Sequence, residues 1–149
     1  MEKIRAWAAR SAGGQLVPFD YDPGPLGPED VEIEVEYCGV CHSDLSMLDN
    51  EWGITTYPFV PGHEAIGRVV GLGGIAQTKG LSLGQRVGVG WNVRSCQHCA
   101  ACLRGDFQLC ETVQATIVGH HGAFAERVRA HWVWSVPIPN ALASGNAGP

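Results

Sequence analysis

Four cysteines crowd one short stretch of the 149-residue chain, spaced Cys96-x2-Cys99-x2-Cys102-x7-Cys110. The stretch carries few apolar side chains, so whatever gathers the thiols must also hold it together. Four thiolates at this spacing suit a tetrahedral zinc ion with no coordination position left open, and metal binding would then be coupled to local folding. Two other chemistries compete. The opening C-x2-C-x2-C also begins bacterial ferredoxin runs, but those continue with a three-residue gap and a Cys-Pro step. Here the gap is seven residues and Glu111 follows Cys110. Six cysteines in all, with Cys38 and Cys41, could instead form disulfides. The tight spacings oppose that, as does an N-terminus, Met1-Glu2-Lys3-Ile4-Arg5-Ala6-Trp7, with no signal-peptide core. Thiols in a reducing, cytoplasmic setting fit better. The expectation is a structural zinc lobe over about residues 92–112.

The rest of the chain reads as one mostly β domain over residues 1–149, without repeats. Its 20 glycines exclude a long helical bundle, because each glycine in a helix interior costs about 1 kcal/mol against alanine. No apolar run approaches the roughly 18 residues of a membrane helix. The net charge of −5 includes no basic stripe, which argues against a nucleic-acid partner. Strands are expected over Ile4–Ala9, Val31–Tyr37, Ala65–Leu72, Arg86–Trp91 and Phe124–Val136, with a loop over residues 20–28. A short helix over Ser43–Leu48 would be capped by Ser43. Glu32, Glu34 and Glu36 alternate with Val31, Ile33 and Val35, so one face of that strand is charged. Arg127 and Arg129 share its two-residue period and are expected nearby; Trp132 and Trp134 would share a strand face. Residues 140–149 show no element that would close a fold. The run from Gly71 through Gly73 to Ala76 imitates a dinucleotide fingerprint, but no helical period follows it.

A second constellation is Cys41-His42-Ser43-Asp44, followed by Gly62-His63-Glu64. Cys41 sits where a strand meets a helix N-terminus, which favours the thiolate. A thiolate and a neutral imidazole are two of the three protein ligands of a catalytic zinc, whose fourth position stays open. Asp44 could orient His63 through its other ring nitrogen. Alternatively, His63 is a structural loop histidine, and the same is the ordinary reading of His120 and His121. Cys38-Gly39-Val40-Cys41 between a strand and a helix also suits a thioredoxin-like thiol redox protein. That fold needs βαβ alternation, which is missing, and Cys38 then reads as an apolar buried cysteine. A zinc-binding structural or interaction module is a further alternative.

The segments Cys41-His-Ser-Asp-Leu45, Pro61-Gly-His-Glu64 and Gly84-Gln-Arg-Val-Gly-Val-Gly90, together with the four-cysteine lobe, occur in a telling order. They resemble the zinc-dependent alcohol dehydrogenases of the medium-chain dehydrogenase/reductase superfamily, most closely the cinnamyl-alcohol-dehydrogenase-like branch. The resemblance implies a GroES-like, partly open β-barrel with short helices. It implies structural zinc on Cys96, Cys99, Cys102 and Cys110, and catalytic zinc on Cys41 and His63, which Glu64 can approach. Ser43 would receive the alcohol's proton, and Trp52 and Trp91 fall near positions that line the substrate pocket. A small alcohol or aldehyde substrate, NAD(P), with a lean to NADP, and a homo-oligomer are implied too. There are two departures. Ser46 stands where relatives often carry a relaying histidine, and no cysteine follows Cys110 to serve as a third ligand. The nucleotide-binding Rossmann domain lies beyond this chain, so the chain alone is expected to be inactive.

Overall fold

The alternating segment around Ile33 becomes the middle of the fold. The computed structural model describes residues 3–148; Met1, Glu2 and Pro149, at the ends of the expected domain, lie outside the described residues. The strands are β1 (Ile4–Ala8), β2 (Val17–Tyr21), β3 (Asp30–Cys38), β4 (Ala65–Leu72), β5 (Arg86–Val89), β6 (Asn92–Arg94), β7 (Gln114–Ala115), β8 (Arg127–His131) and β9 (Val136–Pro137). The helices are α1 (His42–Leu48) and α2 (Ala100–Leu103). The main sheet runs β8-β3-β4-β5-β9, with separate pairs β1-β2 and β6-β7. Every described strand pair is antiparallel, which is incompatible with the parallel βαβ unit of the thioredoxin-like alternative.

The inward residues Val31 and Ile33 meet Val69, Val87, Val89, Val128 and Ala130 in the principal core. The outward glutamates are met by cations, the expected Arg127 and Arg129 and, for Glu36, the unforeseen Arg68. Glu32 sits opposite Arg129 and Glu34 opposite Arg127 in the β3–β8 register. Arg129 Nη2 lies 2.7 Å from Glu32, and the Arg68 Nε–H donates to Glu36 at 2.6 Å. Arg129 Nη1 also donates to the carbonyls of Pro23, Gly24 and Pro25, which pins the proline-rich loop. Past the end of β8, β1 takes over the sheet edge through Trp7 N–H to Phe124 O and Glu126 N–H to Arg5 O. A single bridge then joins Ala9 to Phe59. The sheet therefore curls around its core without closing.

Several local expectations need correction. β2 arises within a stretch that suggests no strand, pairing as the outer partner of β1 with its proline at the edge. β5 stops at Val89, and the short β6–β7 pair brackets the cysteine lobe. The expected single strand over Phe124–Val136 is broken. His131 Nδ1 accepts the Val133 N–H at 3.2 Å and caps a 3-10 turn over Trp132–Trp134. The two tryptophans consequently part: Trp132 packs on the principal core under Lys79, while Trp134 Nε1–H donates to Ser95 Oγ. Residues 140–148 do dock. Arg86 donates to the carbonyls of Pro139 and Leu142 and to Ser144 Oγ, whose own hydroxyl donates to Glu36. The glycine run after β4 enters a 3-10 turn over Ala76–Lys79, not an α-helix, so it builds no dinucleotide cradle.

His131 is 1% exposed, and its Nε2 has no hydrogen-bond partner. Burial depresses its pKa; the Glu29 carboxylate 3.6 Å away only partly offsets this. Below the unfolded value of about 6.5, the unfolded chain takes up a proton that the fold resists. Stability should fall as pH drops through that value towards the folded pKa. His131→Asn retains an acceptor for Val133 N–H but cannot titrate. The slope of unfolding free energy between about pH 7 and about pH 5 should be shallower in this variant by denaturant titration. An unchanged slope would show that His131 is not the group responsible.

Candidate functional site

β3 ends at Cys38, and the chain turns through Gly39, whose N–H donates to Glu64 O at 3.0 Å. Cys41 is extended (φ −106, ψ 153) and forms the N-cap of α1, so the helix begins one residue before the expected Ser43–Leu48 span and Ser43 is not its cap. The Asp44 carboxylate does the capping instead, with Oδ2 accepting the Cys41 N–H at 3.1 Å. Its other oxygen accepts the Gly62 N–H at 2.8 Å and lies 3.0 Å from His63 Nδ1. One carboxylate on α1 thereby holds both the helix start and the Gly62–His63 turn. With Nδ1–H donating to Asp44, His63 Nε2 carries the lone pair.

That turn is fixed from behind by residues 122–124. The Gly122, Ala123 and Phe124 N–H groups donate to the carbonyls of Val60, Gly62 and Pro61 respectively. Gly62 has φ +99, and a Cβ there would lie 2.7 Å from Phe124 N and 2.9 Å from Ala123 N. Only glycine fits both the backbone angle and the gap.

Cys41, His63 and Glu64 each place one donor atom within 4.8 Å of the other two. The Ser43 backbone N–H, the Ser43 hydroxyl and His63 lower the Cys41 pKa, and Ser43 Oγ lies 3.6 Å from Cys41 Sγ. Burial opposes a charged His63 ring, but the Asp44 bond and charge, with Cys41, outweigh it and raise its pKa. Glu64 Oε2 is buried with no hydrogen-bond partner. Thiol, imidazole and an unsatisfied carboxylate form a donor set that fits a borderline metal such as zinc. Trp91 stands edge-on to His63, with ring centroids 4.9 Å apart, and Trp52 packs against Trp91 at 6.1 Å. The two half-exposed indoles make an aromatic rim around the cluster. Ser46, in α1, is buried. Cys38 stays outside the cluster; burial pushes its thiol up to about 11, a poor state for exchange chemistry.

In the lobe, Cys96, Cys99, Cys102 and Cys110 place all four Sγ atoms within 4.8 Å of one another. Backbone N–H groups point at three of these sulfurs: Cys99 N–H to Cys96, Cys102 N–H to Cys99 and Cys96 N–H to Cys110. Such donors favour thiolates. The Cys96 N–H and the Thr112 hydroxyl pull the Cys110 pKa down, while burial pushes Cys102 up. All six cysteines are free thiols. His120 and His121 join neither group: His120 Nε2 meets Gln114 Oε1 at 3.2 Å, and His121 packs on Tyr21 and Phe19.

The contact of Trp91 with His63 has no signature in spacing, because β5 and the Gly62 turn meet only in three dimensions. Asp44, by contrast, announces itself three residues after Cys41, the interval at which a helical carboxylate reaches back to the cap.

The sequence profile of the alcohol dehydrogenase GroES-like domain family matches residues 27–140. An aldehyde reductase (AdhA) of Synechocystis sp. is 52% identical over 146 residues, covering 98% of this chain and 43% of that protein. A cinnamyl alcohol dehydrogenase of Sorghum bicolor superposes with a TM-score of 0.88 at 33% identity, over 98% of this chain and 44% of its own. The CAD of Helicobacter pylori, solved with NADP(H), gives 0.88 at 28% identity, over 95% and 43%. The chain thus spans less than half the length of these relatives.

Two glycines separate backbone strain from close approach. Gly84 has φ +78 with nothing within 4 Å of a Cβ, whereas Gly62 combines positive φ with the 122–124 backbone. Gly84→Ala should cost about 1–2 kcal/mol from φ alone. Gly62→Ala should cost about 3 kcal/mol or more, as overpacking adds to the strain. Equal losses in denaturant unfolding would show that the 122–124 contact does not constrain the turn.

Proposed function

The chain belongs to the alcohol dehydrogenase GroES-like domain family, and on that premise we propose that it is the substrate-side half of a zinc-dependent dehydrogenase. The reaction is the interconversion of small alcohols and aldehydes with NADP(H). The observation that carries this reading is the convergence of Cys41, His63 and Glu64 within 4.8 Å beside an orphaned carboxylate oxygen. Cys41 and His63 would hold the catalytic ion, with Glu64 as a third, exchangeable donor, and Cys96, Cys99, Cys102 and Cys110 would hold the structural one. A zinc ion at the first site supplies Lewis acidity towards the substrate oxygen.

The chain's own residues do the rest. Asp44 locks the tautomer and direction of the His63 ring. Ser43 Oγ, beside Cys41, takes the proton of the alcohol and returns it in the reverse direction. Ser46 stands where relatives often carry a relaying histidine, so from Ser43 the proton would leave by a different route or through water. Trp91 and Trp52 exclude water and narrow the approach to compact substrates. Because the chain spans less than half the length of its relatives, the proposal assigns hydride acceptance to a Rossmann domain of a longer protein, taken to be cytoplasmic and homo-oligomeric. Positioning donor and acceptor can contribute roughly 7–11 kcal/mol to barrier lowering, a contribution the chain by itself lacks.

The test has two arms. Metal analysis of the reduced chain should find zinc in the lobe, and Cys99→Ser should lose that zinc and disorder the lobe while the main sheet stays folded. NADPH absorbance with primary alcohols and aldehydes should show no turnover by the 149-residue chain and clear turnover by the longer protein. Turnover by the chain alone would overturn the division of labour. Zinc without turnover in either protein would favour a zinc-binding structural module instead.

A further inference from the structure

The four-thiol lobe is inserted between β6 and β7, and the chain leaving it runs straight to the other cluster. After β7 come Thr116 and Ile117, each 1% exposed. Thr116 grips the β5–β6 connection at two points: its hydroxyl donates to Gly90 O at 2.5 Å and its N–H donates to Trp91 O at 2.7 Å. Ile117 packs with Phe59 and with Met47 of α1, the helix that carries Asp44. Two consecutive buried residues therefore bear on the site, one through Trp91 and one through the helix.

Trp91 is 36% exposed, so burial alone does not fix its ring; its placement over His63 depends on where its backbone is held. The β6–β7 ladder that brings Thr116 alongside has only two residue pairs, Asn92 with Ala115 and Arg94 with Gln114, and a register irregularity between them. A ladder so short does not sustain itself. Closing the long loop between its strands has an entropic cost, which a four-thiolate metal site offsets by drawing the two ends of the lobe together.

We infer that Thr116 is a positioning residue: it sets Trp91 against His63 and thereby couples the Cys41–His63–Glu64 cluster to metal loading of the four-thiol lobe. The inference rests on the proposed reading in taking both groups as metal sites. It makes the lobe more than a local staple, because a change in its occupancy reaches a group in ring contact with a ligand of the other site.

The test is a proton–nitrogen correlation spectrum of the full chain in a Cys41→Ser background, which disables the second site. The Trp91 indole resonance is assigned by its loss in Trp91→Phe. Adding zinc up to one equivalent, with lobe occupancy verified by cadmium NMR on a parallel sample, should shift the Trp91 resonance. Thr116→Val, which keeps the N–H bond to Trp91 O but cuts the hydroxyl bond to the adjoining Gly90 O, should bind zinc equally in the lobe while losing more than half of that shift. Thr116→Ser should restore it. Lobe zinc with an unmoved Trp91 resonance overturns the inference while leaving the metal reading intact, and this arm needs no change at Thr116. A shift of the same size in Thr116→Val also overturns it. Failure of the lobe to take zinc at all overturns the metal reading itself.

Discussion

Asp44 is the carboxylate on which the candidate site is assembled. It is 5% exposed, yet its pKa is held below the usual carboxylate range: burial works against its charge, but His63 and the N–H groups of Gly62 and Cys41 outweigh it. Charge-assisted hydrogen bonds of this kind are roughly twice as strong as neutral ones. A carboxylate surrounded by donors stays ionised where an isolated one would not. The consequence is geometric. Segments 41–44 and 62–63 are distant in sequence, and Asp44 is the side chain bonded to both, so the thiol and the imidazole are placed relative to one shared anchor. The 122–124 backbone then supports the second segment from behind, and the glycine at 62 is what lets it approach.

What could be read from the sequence was whatever leaves a periodic or spaced trace. Val31, Ile33 and Val35 alternating with Glu32, Glu34 and Glu36 marked the central strand, and the matching period of Arg127 and Arg129 marked its partner. The cysteine intervals marked the lobe, and Asp44 was legible as a partner for His63, though the capping of α1 that it performs reads from the sequence as the work of Ser43. What left no trace was tertiary. Arg86 straps residues 139–144 largely through main-chain carbonyls, which every residue possesses. Phe124–Val136 has the composition of a long strand, but β8 begins at Arg127 and the 3-10 turn capped by His131 ends it. β6 and β7 are too short for periodicity, and their pairing spans the whole lobe.

The lobe shows how a segment without a core can still have one shape. Its large apolar residues do not turn inward: Leu103 is 76% exposed and Leu109 is 63% exposed. Beyond β6, where Val93 joins the principal core and Arg94 pairs with Asp30, it meets the rest of the molecule through Phe107 on Trp134 and the Trp134 indole on Ser95. Order inside it comes from backbone N–H groups aimed at sulfur. Those bonds predispose the thiols towards thiolates at the separation four ligands of one ion require. Burial pushes the Cys102 thiol up, while the Cys96 N–H and the Thr112 hydroxyl pull Cys110 down. A cation bound at the centre would let all four sulfurs be anionic together.

Glu64 and Glu32 show the difference between a carboxylate that serves the fold and one that does not. Glu32 lies between two strands and is met by both Arg127 and Arg129, so its charge is answered within the sheet. Glu64 sits one residue after His63, and its Oε2 is buried with no partner. Leaving such an atom unanswered costs about 1–3 kcal/mol, and among the described residues only His131 Nε2 shares the condition. An arginine or a backbone N–H at that position would relieve the cost, and would also occupy the oxygen permanently. The fold instead keeps it open on a carboxylate that also brings an oxygen within 4.8 Å of a thiol with a lowered pKa and a histidine whose Nδ1 is committed to Asp44. Local stability is relinquished where three donors face one another, which is the arrangement expected where a chain departs from its own packing rules for the sake of chemistry. A cation drawn to that point is met by a histidine whose direction the fold has already set.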